Sequence, residues 1–431
     1  MAKRRTSEKS KAREKLSFRY EIYPTEETAE MFLRTFGCVR FIWNHIMAAH
    51  EMAYKHGLND FWPTPAMFKH VFPWLKEVDS LALANAQTDL SSAYSSFFQK
   101  KASHPKFKSR HFSRKAFKTN NQDNTIHLEE RIVNGAPNKR TALLHLPKGA
   151  IVRLRYHRKL PEGAVIKNCT VSLESNGKWY VSILVEMPDS SPKTKEKCDI
   201  SKLNVLGLDY KSDGLYMDSN GHCADMPKYF RRSQKKLAKE QRKLSRMREA
   251  NIAGYKEGPK GGRIPVWKKD LSECKNYQKQ KARVAKLQTH IANQRNDYLN
   301  KESKRLAKTY DVIGVEGMNM RNIAQMYYLG KATCDNGYGL FRNMLEYKLQ
   351  TRNKVLVRAD QFFPSSQMCS ACGEKNPEVK DAKVKSWVCP KCGALHDRDV
   401  NAAVNLKNYA LKEFVRIQES ETTVSPESKA Q

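Results

Sequence analysis

Two pairs of cysteines in the last quarter of the chain constrain its folding more than any other feature. The pairs are Cys369-x-x-Cys372 and Cys389-x-x-Cys392; 16 residues separate them, and a glycine follows each. Four thiolates at this spacing typically hold one Zn²⁺ tetrahedrally, and the glycines suit the sharp turns that such knuckles need. Four unrelated thiols or two disulfides are the alternatives. We predict a structural zinc site, because cysteine fills all four positions and leaves none for catalysis.

The charge of the chain restricts its partners. Its 431 residues carry 78 Lys and Arg against 45 Asp and Glu, a formal net charge of +33. This excess indicates a polyanion, with nucleic acid as the first candidate and a membrane surface as the second. The apolar runs are far shorter than the ~20 residues of a membrane-spanning helix. The first 14 residues are charged and do not resemble a secretory signal, so we expect an intracellular protein with reduced cysteines.

Two segments concentrate the positive charge. Residues 99–118 contain eight lysines and arginines, no acid and interspersed aromatic residues, which suits phosphate contact and base stacking. Residues 228–308 contain 25 lysines and arginines against 7 acids, with a thin apolar stripe at helical spacing on each side of a stretch rich in Gly and Pro. We interpret the second segment as a basic helical hairpin that faces nucleic acid. Solvated surfaces are the alternative for both segments.

Strand patterns dominate residues 125–186. The hairpin signal Asn176-Gly177 lies between two apolar-alternating runs, and residues 187–202 have the composition of a linker. We expect a small antiparallel sheet or barrel, with a helical block at 25–118 inserted after its first strand. Alternation predicts its strands at 17–23, 151–155, 165–174 and 178–186.

Three acids stand at the ends of apolar segments in the second half. Asp209 and Glu316 each end an apolar run, and Asp399 begins a helix. One such acid is usually a turn or cap residue. Three of them in so basic a chain are unusual, because carboxylates held together repel one another unless Mg²⁺ or Mn²⁺ lies between them. A cluster holding two such ions can cleave phosphodiesters, and the order strand, hairpin, strand, helix predicts an RNase H-like sheet.

The chain resembles the transposon-encoded TnpB proteins, relatives of the type V CRISPR effectors, over nearly its whole length. The C-terminal motifs make this resemblance highly specific, which the cysteine pairs alone would not. The segments that carry it are Tyr20–Pro24, Phe36–Asn44, Trp74–Asp79, Pro105–Lys108, Phe363–Gly373, Cys389–Gly393 and His396–Ala403.

The resemblance implies an α/β, multi-domain protein. Its parts would be an RNase H-like RuvC domain with an inserted zinc ribbon, and a small β-barrel (wedge) domain with an inserted helical recognition domain. The implied boundaries are a basic disordered lead at 1–15, the wedge at 16–24 and 119–200, the recognition helices at 25–118, RuvC at 201–363 and 394–415 (with the basic hairpin at 228–308), the ribbon as a target-loading element at 364–393, and a disordered tail at 416–431.

The function that the resemblance implies is RNA-guided DNA cleavage. One protein would bind one guide RNA made from the transposon end, read a short motif beside the target in double-stranded DNA, and cut with a single RuvC site that uses two Mg²⁺ or Mn²⁺ ions. The alternatives are a guide-dependent DNA-binding repressor without cleavage, a CRISPR-associated type V effector with the same chemistry, and a guide-independent RNase H-like enzyme. We expect a prokaryotic, cytoplasmic protein associated with the nucleoid and not with a membrane.

The resemblance also implies roles for individual residues. The RuvC triad falls on Asp209, Glu316 and Asp399, and Asp397 is a neighbour of lower rank. Lys211 stands where the family has small residues; it either contacts the scissile phosphate or faces solvent, and we favour solvent. The side chains expected to contact nucleic acid, some of them at base edges, are Asn85, Lys106, Lys108, Arg110, Thr119, Asn120 and Asn121.

Overall fold

The computed structural model describes residues 15–58, 61–110, 113–133, 136–187, 199–258, 261–325, 330–381 and 383–423. It divides into two compact units, Met1–Lys193 and Thr194–Gln431. Most of the predicted lead at 1–15 and most of the linker at 187–202 lie outside the described residues; Lys15, the last residue of that lead, is in a strand. None of the helices in the described part of the chain combines the length and the apolar character needed to cross a lipid bilayer.

The first unit is an antiparallel sheet with three helices inserted after its first strand. The elements are β1 (Lys15–Tyr23), α1 (Glu26–Lys55), α2 (Pro65–Val71), α3 (Ser80–Phe98), β2 (Lys115–Asn120), β3 (His127–Val133), β4 (Ala136–Leu146), β5 (Ala150–Arg155), β6 (Val165–Leu173) and β7 (Trp179–Glu186). The strand order is β2-β6-β7-β1-β5-β4-β3, so β1 is central and β2 and β3 are the edges.

The strand patterns of the first unit follow from alternate burial. Phe18, Tyr20 and Ile22 of β1 are buried in the core, because successive side chains of a strand point to opposite faces. The predicted hairpin at Asn176-Gly177 is confirmed by the pairing of β6 with β7 and by the positive φ of Gly177. Strand β2 begins at Lys115, so the sheet resumes four residues before the predicted boundary at 119.

The second unit contains a mixed sheet of five strands. Its elements are β8 (Val205–Tyr210), β9 (Tyr216–Asp218), β10 (Cys223–Ala224), α4 (Tyr229–Ala250), β11 (Ile252–Glu257), β12 (Arg263–Trp267), α5 (Lys275–Thr309), β13 (Val312–Val315), α6 (Met320–Gln325), α7 (Gly330–Asn336), α8 (Tyr338–Gln350), β14 (Val355–Arg358), β15 (Ser386–Val388), β16 (Leu395–Asp397) and α9 (Arg398–Thr423). The order is β10-β9-β8-β13-β14, an antiparallel meander continued by two parallel strands. This is the predicted RNase H-like arrangement.

Helix α9 lies directly on β8 and β13 because each strand has a glycine at the contact. A Cβ added to Gly207 would come within 1.8 Å of the Ala403 carbonyl oxygen. One added to Gly314 would come within 2.3 Å of the Leu406 carbonyl oxygen. Real Cβ atoms do not approach backbone so closely, so no larger residue fits at either position without moving the helix. The glycines therefore fix where α9 crosses the sheet.

The basic segment at 228–308 forms two long helices, as predicted. Leu237 of α4 packs against Val284 and Ile291 of α5 in a small cluster of buried apolar residues. The stretch rich in Gly and Pro between the helices is a β-hairpin, β11–β12, which the residue pattern does not predict. Its turn contains Gly261 in a left-handed conformation.

The predicted disordered tail is wrong for residues 416–423. Helix α9 continues to Thr423, and its last turns come after the buried Phe414. Polar composition predicts disorder only where no apolar stripe anchors a helix, and here the stripe of α9 begins well before the polar residues. Residues 424–431 lie outside the described part.

Candidate active site

Asp209 and Glu316 lie at the same edge of the second sheet. Asp209 is next to last in β8, and Glu316 comes directly after β13. The two strands are parallel and pair Leu208 with Val315, so the acids follow at matching positions on neighbouring strands, which lie about 4.8 Å apart in a sheet. Side chains alternate between faces, so both acids project to the same face, and both are partly buried.

Asp399 reaches this edge from the helix that covers the sheet. It is the second residue of α9 and is partly buried. The contact of α9 with Gly207 involves Ala403, one helical turn after Asp399, and Gly207 stands two residues before Asp209. The first turn of α9 is therefore placed over the end of β8.

Asp397 has a different position from the other acids. Its carboxylate accepts hydrogen bonds from the backbone amides of Asp399 and Val400, each at 3.0 Å. This is the geometry of a helix N-cap, which satisfies amides that have no partner within the helix. Asp397 therefore holds the start of α9 in place.

The three acids interact electrostatically. Burial raises the pKa of Asp209 well above its ordinary value, and the negative charges of Glu316 and Asp399 raise it further. Burial also raises the pKa of Glu316, and the charges of Arg398 and Arg342 oppose this shift. Ionised carboxylates in this arrangement repel one another, so a bound divalent cation would stabilise the cluster.

A lysine lies next to the cluster. The Nζ atom of Lys211 is 3.9 Å from Oδ2 of Asp399, and these side chains are only 25% and 24% exposed. The expectation that Lys211 faces solvent is therefore wrong. The loop after β8 passes the start of α9, and the negative charge of Asp399 attracts the ammonium group of Lys211.

Two arginines complete the surroundings of the acids. Nη1 of Arg342 donates to the backbone carbonyls of Glu316 and Met318, each at 3.0 Å. The Nε atoms of Arg342 and Arg398 are buried and have no hydrogen-bond partner in the described part of the chain. The sequence offers a signal for Arg398, which lies between Asp397 and Asp399, but none for Arg342, which lies on a helix whose pattern indicates only core packing.

The four paired cysteines form a second cluster. One sulfur from each of Cys369, Cys372, Cys389 and Cys392 lies within 4.8 Å of the others, and no other such group of three or more potential ligands occurs among the described residues. The carboxylates of the three acids are therefore spaced more widely than the thiols. Four close thiols could bind zinc, as the spacing predicts.

Backbone and side-chain contacts shape the cysteine cluster. Gly373 and Gly393 have φ values of 78° and 73°, and their amides donate to the carbonyls of Cys369 and Cys389, both at 2.9 Å. Left-handed backbone of this kind favours glycine. Nε2 of His396 lies 3.0 Å from the sulfur of Cys369, and burial lowers the pKa of His396.

Helix α9 holds the first cysteine knuckle. The side chain of Asn401 accepts from the amide of Ser370 at 2.9 Å and donates to the carbonyl of Met368 at 2.7 Å. Asn405, one turn later, donates to the carbonyls of Met368 and Ser365 at 2.6 and 2.8 Å. Both asparagines are buried. The cysteine cluster and Asp399 are thus joined through one helix.

Three of the residues expected to contact nucleic acid bind the protein itself. The amide of Asn85 donates to the carbonyls of Leu81 and Lys118, and the Thr119 hydroxyl donates to Asp79. The side chain of Asn121 donates to the carbonyl of Ile166 and accepts from the amide of Ile126. Asn85 and Thr119 are also buried. The polar groups of these three residues thus hold β2 to its neighbours, and contact of Asn85, Thr119 and Asn121 with base edges stays a prediction.

The other four expected contacts are more accessible. Lys106 and Arg110 are exposed, and Asn120 is partly exposed. Lys108 is partly buried, with Nζ 3.5 Å from the centre of the Trp43 ring. Burial lowers the pKa of Lys108. Its ammonium group makes a cation–π contact with Trp43.

Comparison with known proteins identifies the family. Models described as "Helix-turn-helix domain", "Probable transposase" and "Cas12f1-like, TNB domain" match residues 15–58, 182–326 and 338–406. A protein of Streptomyces pristinaespiralis named "Putative RNA-guided DNA endonuclease" is 31% identical over 401 residues, which cover 91% of this chain and 88% of that protein. The chain belongs to the TnpB family.

Two further comparisons agree with this assignment. InsQ of Escherichia coli K12, named "Putative RNA-guided DNA endonuclease InsQ", is 27% identical to this TnpB protein over 413 residues, 90% of this chain and 91% of its own. A solved structure titled as a cryo-EM complex of Cas12f1, sgRNA and target DNA superposes with a TM-score of 0.53 at 15% identity, covering 89% of this chain and 83% of that one. The second likeness shows a shared fold.

The electrostatics of the site in this TnpB protein predict a pH effect. Between the ordinary carboxyl pKa of 3.8 and the raised pKa of Asp209, the native state keeps a proton that the unfolded chain has released. The native state therefore loses stability as the pH rises through this window. Asp209→Asn cannot titrate, so without added divalent cations we expect the variant to gain stability over the natural protein as the pH rises, by about 1.4 kcal/mol per pH unit. Thermal unfolding at several pH values measures this, and a pH-independent difference would contradict it.

Proposed function

We propose that this chain is an RNA-guided DNA endonuclease. It binds a guide RNA made from the transposon end, recognises a short motif beside a double-stranded DNA target, and cleaves the DNA with one metal-dependent RuvC site. The observation that carries the proposal is the meeting of Asp209, Glu316 and Asp399 at one edge of the RNase H-like sheet, in a very basic chain. The names of the homologous proteins support the same activity.

The residues at the edge of the sheet fit divalent cations. Three partly buried carboxylates offer the oxygen ligands that Mg²⁺ and Mn²⁺ prefer. Burial first and then the charges of Glu316 and Asp399 raise the pKa of Asp209, and a cation would relieve the repulsion among the three acids. A cluster of three carboxylates can hold two such ions about 3.5–4 Å apart. Bound there, the ions would activate the attacking water and stabilise the leaving oxygen.

The chain's own groups position the substrate. Asp209, Glu316 and Asp399 hold the metal site, while Lys211 and Arg398 bring positive charge to its edge, where a phosphodiester would lie. The basic hairpin α4–α5 contacts the phosphate backbone of the nucleic acid, which leaves the choice of sequence to base pairing with the guide. We infer that the first unit supplies the wedge and recognition domains, and that one protein acts per guide RNA, at the nucleoid.

The cysteine cluster is proposed to hold one structural Zn²⁺. Cys369, Cys372, Cys389 and Cys392 supply a complete tetrahedral ligand set. The ribbon at 364–393 then serves as a target-loading element beside the RuvC site. Its attachment to α9 through Asn401 supports this placement.

Purification of the protein from cells that carry its native locus tests the function. We expect a discrete RNA from the adjacent element end to co-purify, and the complex to cut a matched duplex when Mg²⁺ is added. Random cellular RNA would reveal only the polyanion binding that a charge of +33 produces in any case. Matched binding without cutting would identify a repressor, and cutting by RNA-free protein would identify a guide-independent enzyme.

A further inference from the structure

Tyr338 has a buried hydroxyl that the functions described above do not use. It is the first residue of α8, its side chain is completely buried, and its hydroxyl has no hydrogen-bond partner among the described residues. Most buried hydroxyls are bonded, because an unpaired one has lost its contacts with water without replacement. An exception next to a proposed active site indicates a role there.

The surroundings of Tyr338 place it beside two of the acids. Its ring packs on that of Tyr210, the residue after Asp209, with the ring centres 4.9 Å apart. The guanidinium of Arg342 lies 5.9 Å from the centre of the Tyr338 ring and donates to the backbone of Glu316. Burial raises the pKa of Tyr338, and the charges of Glu316 and then Asp209 raise it further. Tyr338 therefore packs against the residue that follows Asp209 and lies near the arginine that bonds the backbone of Glu316.

The connection before α8 holds Tyr338 in this place. The side-chain amide of Asn336 donates to the carbonyls of Lys211 and Ser212, at 3.1 and 2.9 Å. Gly337 follows with a φ of +60°, and so turns the chain into the helix. The segment is thus fastened to the loop that follows Asp209, and it carries Tyr338 to the same edge of the sheet.

We propose that Tyr338 is a positioning residue of the metal site, whose hydroxyl donates a hydrogen bond to the Glu316 carboxylate when a divalent cation is bound. This inference rests on the proposed function. A hydrogen bond from outside the ligand set fixes the orientation of a ligating carboxylate, and loss of such a bond typically costs 10–100-fold in metal affinity or activity. A tyrosine suits the role because its proton is available as a donor and its ring is held by packing.

The variant Tyr338→Phe tests the inference, because it removes only the hydroxyl. We expect the full-length, zinc-loaded, RNA-free protein to bind Mn²⁺ about 10-fold more weakly in calorimetric titration. We expect the guided complex to need a correspondingly higher Mg²⁺ concentration for half-maximal cleavage, with guided DNA binding unchanged. Without added divalent cations the unfolding temperature should stay the same or rise, since no hydrogen bond is lost in that state.

Tyr347→Phe is the matched control. Tyr347 lies on the same helix but is 50% exposed, whereas Tyr338 is completely buried; this variant should behave as the natural protein. Unchanged Mn²⁺ affinity in Tyr338→Phe would overturn the inference, as would a lower unfolding temperature or failure to fold without divalent cations, because the hydroxyl would then serve the fold. Asp209→Ala supplies the background: if the natural protein binds Mn²⁺ no better than Asp209→Ala, the proposed function itself fails.

Discussion

Replacement of Asp209 by alanine is expected to lower the rate of target cleavage roughly 10⁴-fold, the scale of losing a central catalytic group. Asp209 interacts with both Glu316 and Asp399, so its loss removes the carboxylate common to the cluster. Binding of the guide RNA and of the matched DNA should persist, because these contacts depend on basic surfaces elsewhere in the chain. Cleavage of a labelled duplex and filter binding, both with Mg²⁺, measure the two effects.

Asp397→Ser is the matched control for this variant. Asp397 is an exposed acid two residues before Asp399, and its carboxylate caps α9. Serine is also a good N-cap, so the variant should fold and cut at nearly the natural rate. Cleavage by Asp209→Ala at a comparable rate would show that the catalytic acids have been assigned wrongly.

Replacement of Cys389 by serine is expected to abolish stoichiometric zinc binding and to lower cleavage about 100-fold. A structural zinc contributes of the order of 10 kcal/mol to the folding of its ligand loops, so the ribbon should become sensitive to proteases within 364–393. The loss should extend to catalysis because Asn401 and Asn405 connect the first knuckle to α9, which carries Asp399. Metal analysis, limited proteolysis and cleavage assays report the three effects.

Cys274→Ser serves as the control for the cysteine variant. Cys274 precedes α5, away from the paired cysteines, and its sulfur lies 3.4 Å from the carbonyl of Asp270, a contact that a serine hydroxyl can also make. Zinc content and cleavage should not change. Full cleavage by zinc-free Cys389→Ser protein would contradict a supporting role for the ribbon.

The sequence predicts well what depends on neighbours in the chain. The alternation of β1, the turn at Asn176-Gly177 and the spacing of the cysteine pairs are local patterns, and the structure agrees with each. The sequence does not predict the last turns of α9, because the residues after 416 are polar and the apolar residues that anchor the helix come earlier. The sequence does not predict the hairpin β11–β12, because glycine and proline indicate a turn but not the strands beside it.

What the sequence could not supply are partners that meet only in the fold. Asn85 and Thr119 have side chains suited to base edges, yet their partners are Lys118 and Asp79, 33 and 40 residues away. Tyr338 lies on the apolar stripe of α8, so the helical periodicity predicts only a buried core residue at this position. Lys211 is a charged residue in a loop, and only the position of α9 shows that it faces Asp399.

The contact of α9 with Gly207 and Gly314 has a consequence for how cutting is controlled. Asp209, Glu316 and Asp399 all stand on elements locked together by backbone touching backbone, and such a frame has little freedom to assemble and disassemble during a reaction cycle. We therefore expect the three acids to keep the same arrangement before, during and after cleavage. The selectivity of cleavage must then depend on which DNA strands are admitted to the active site.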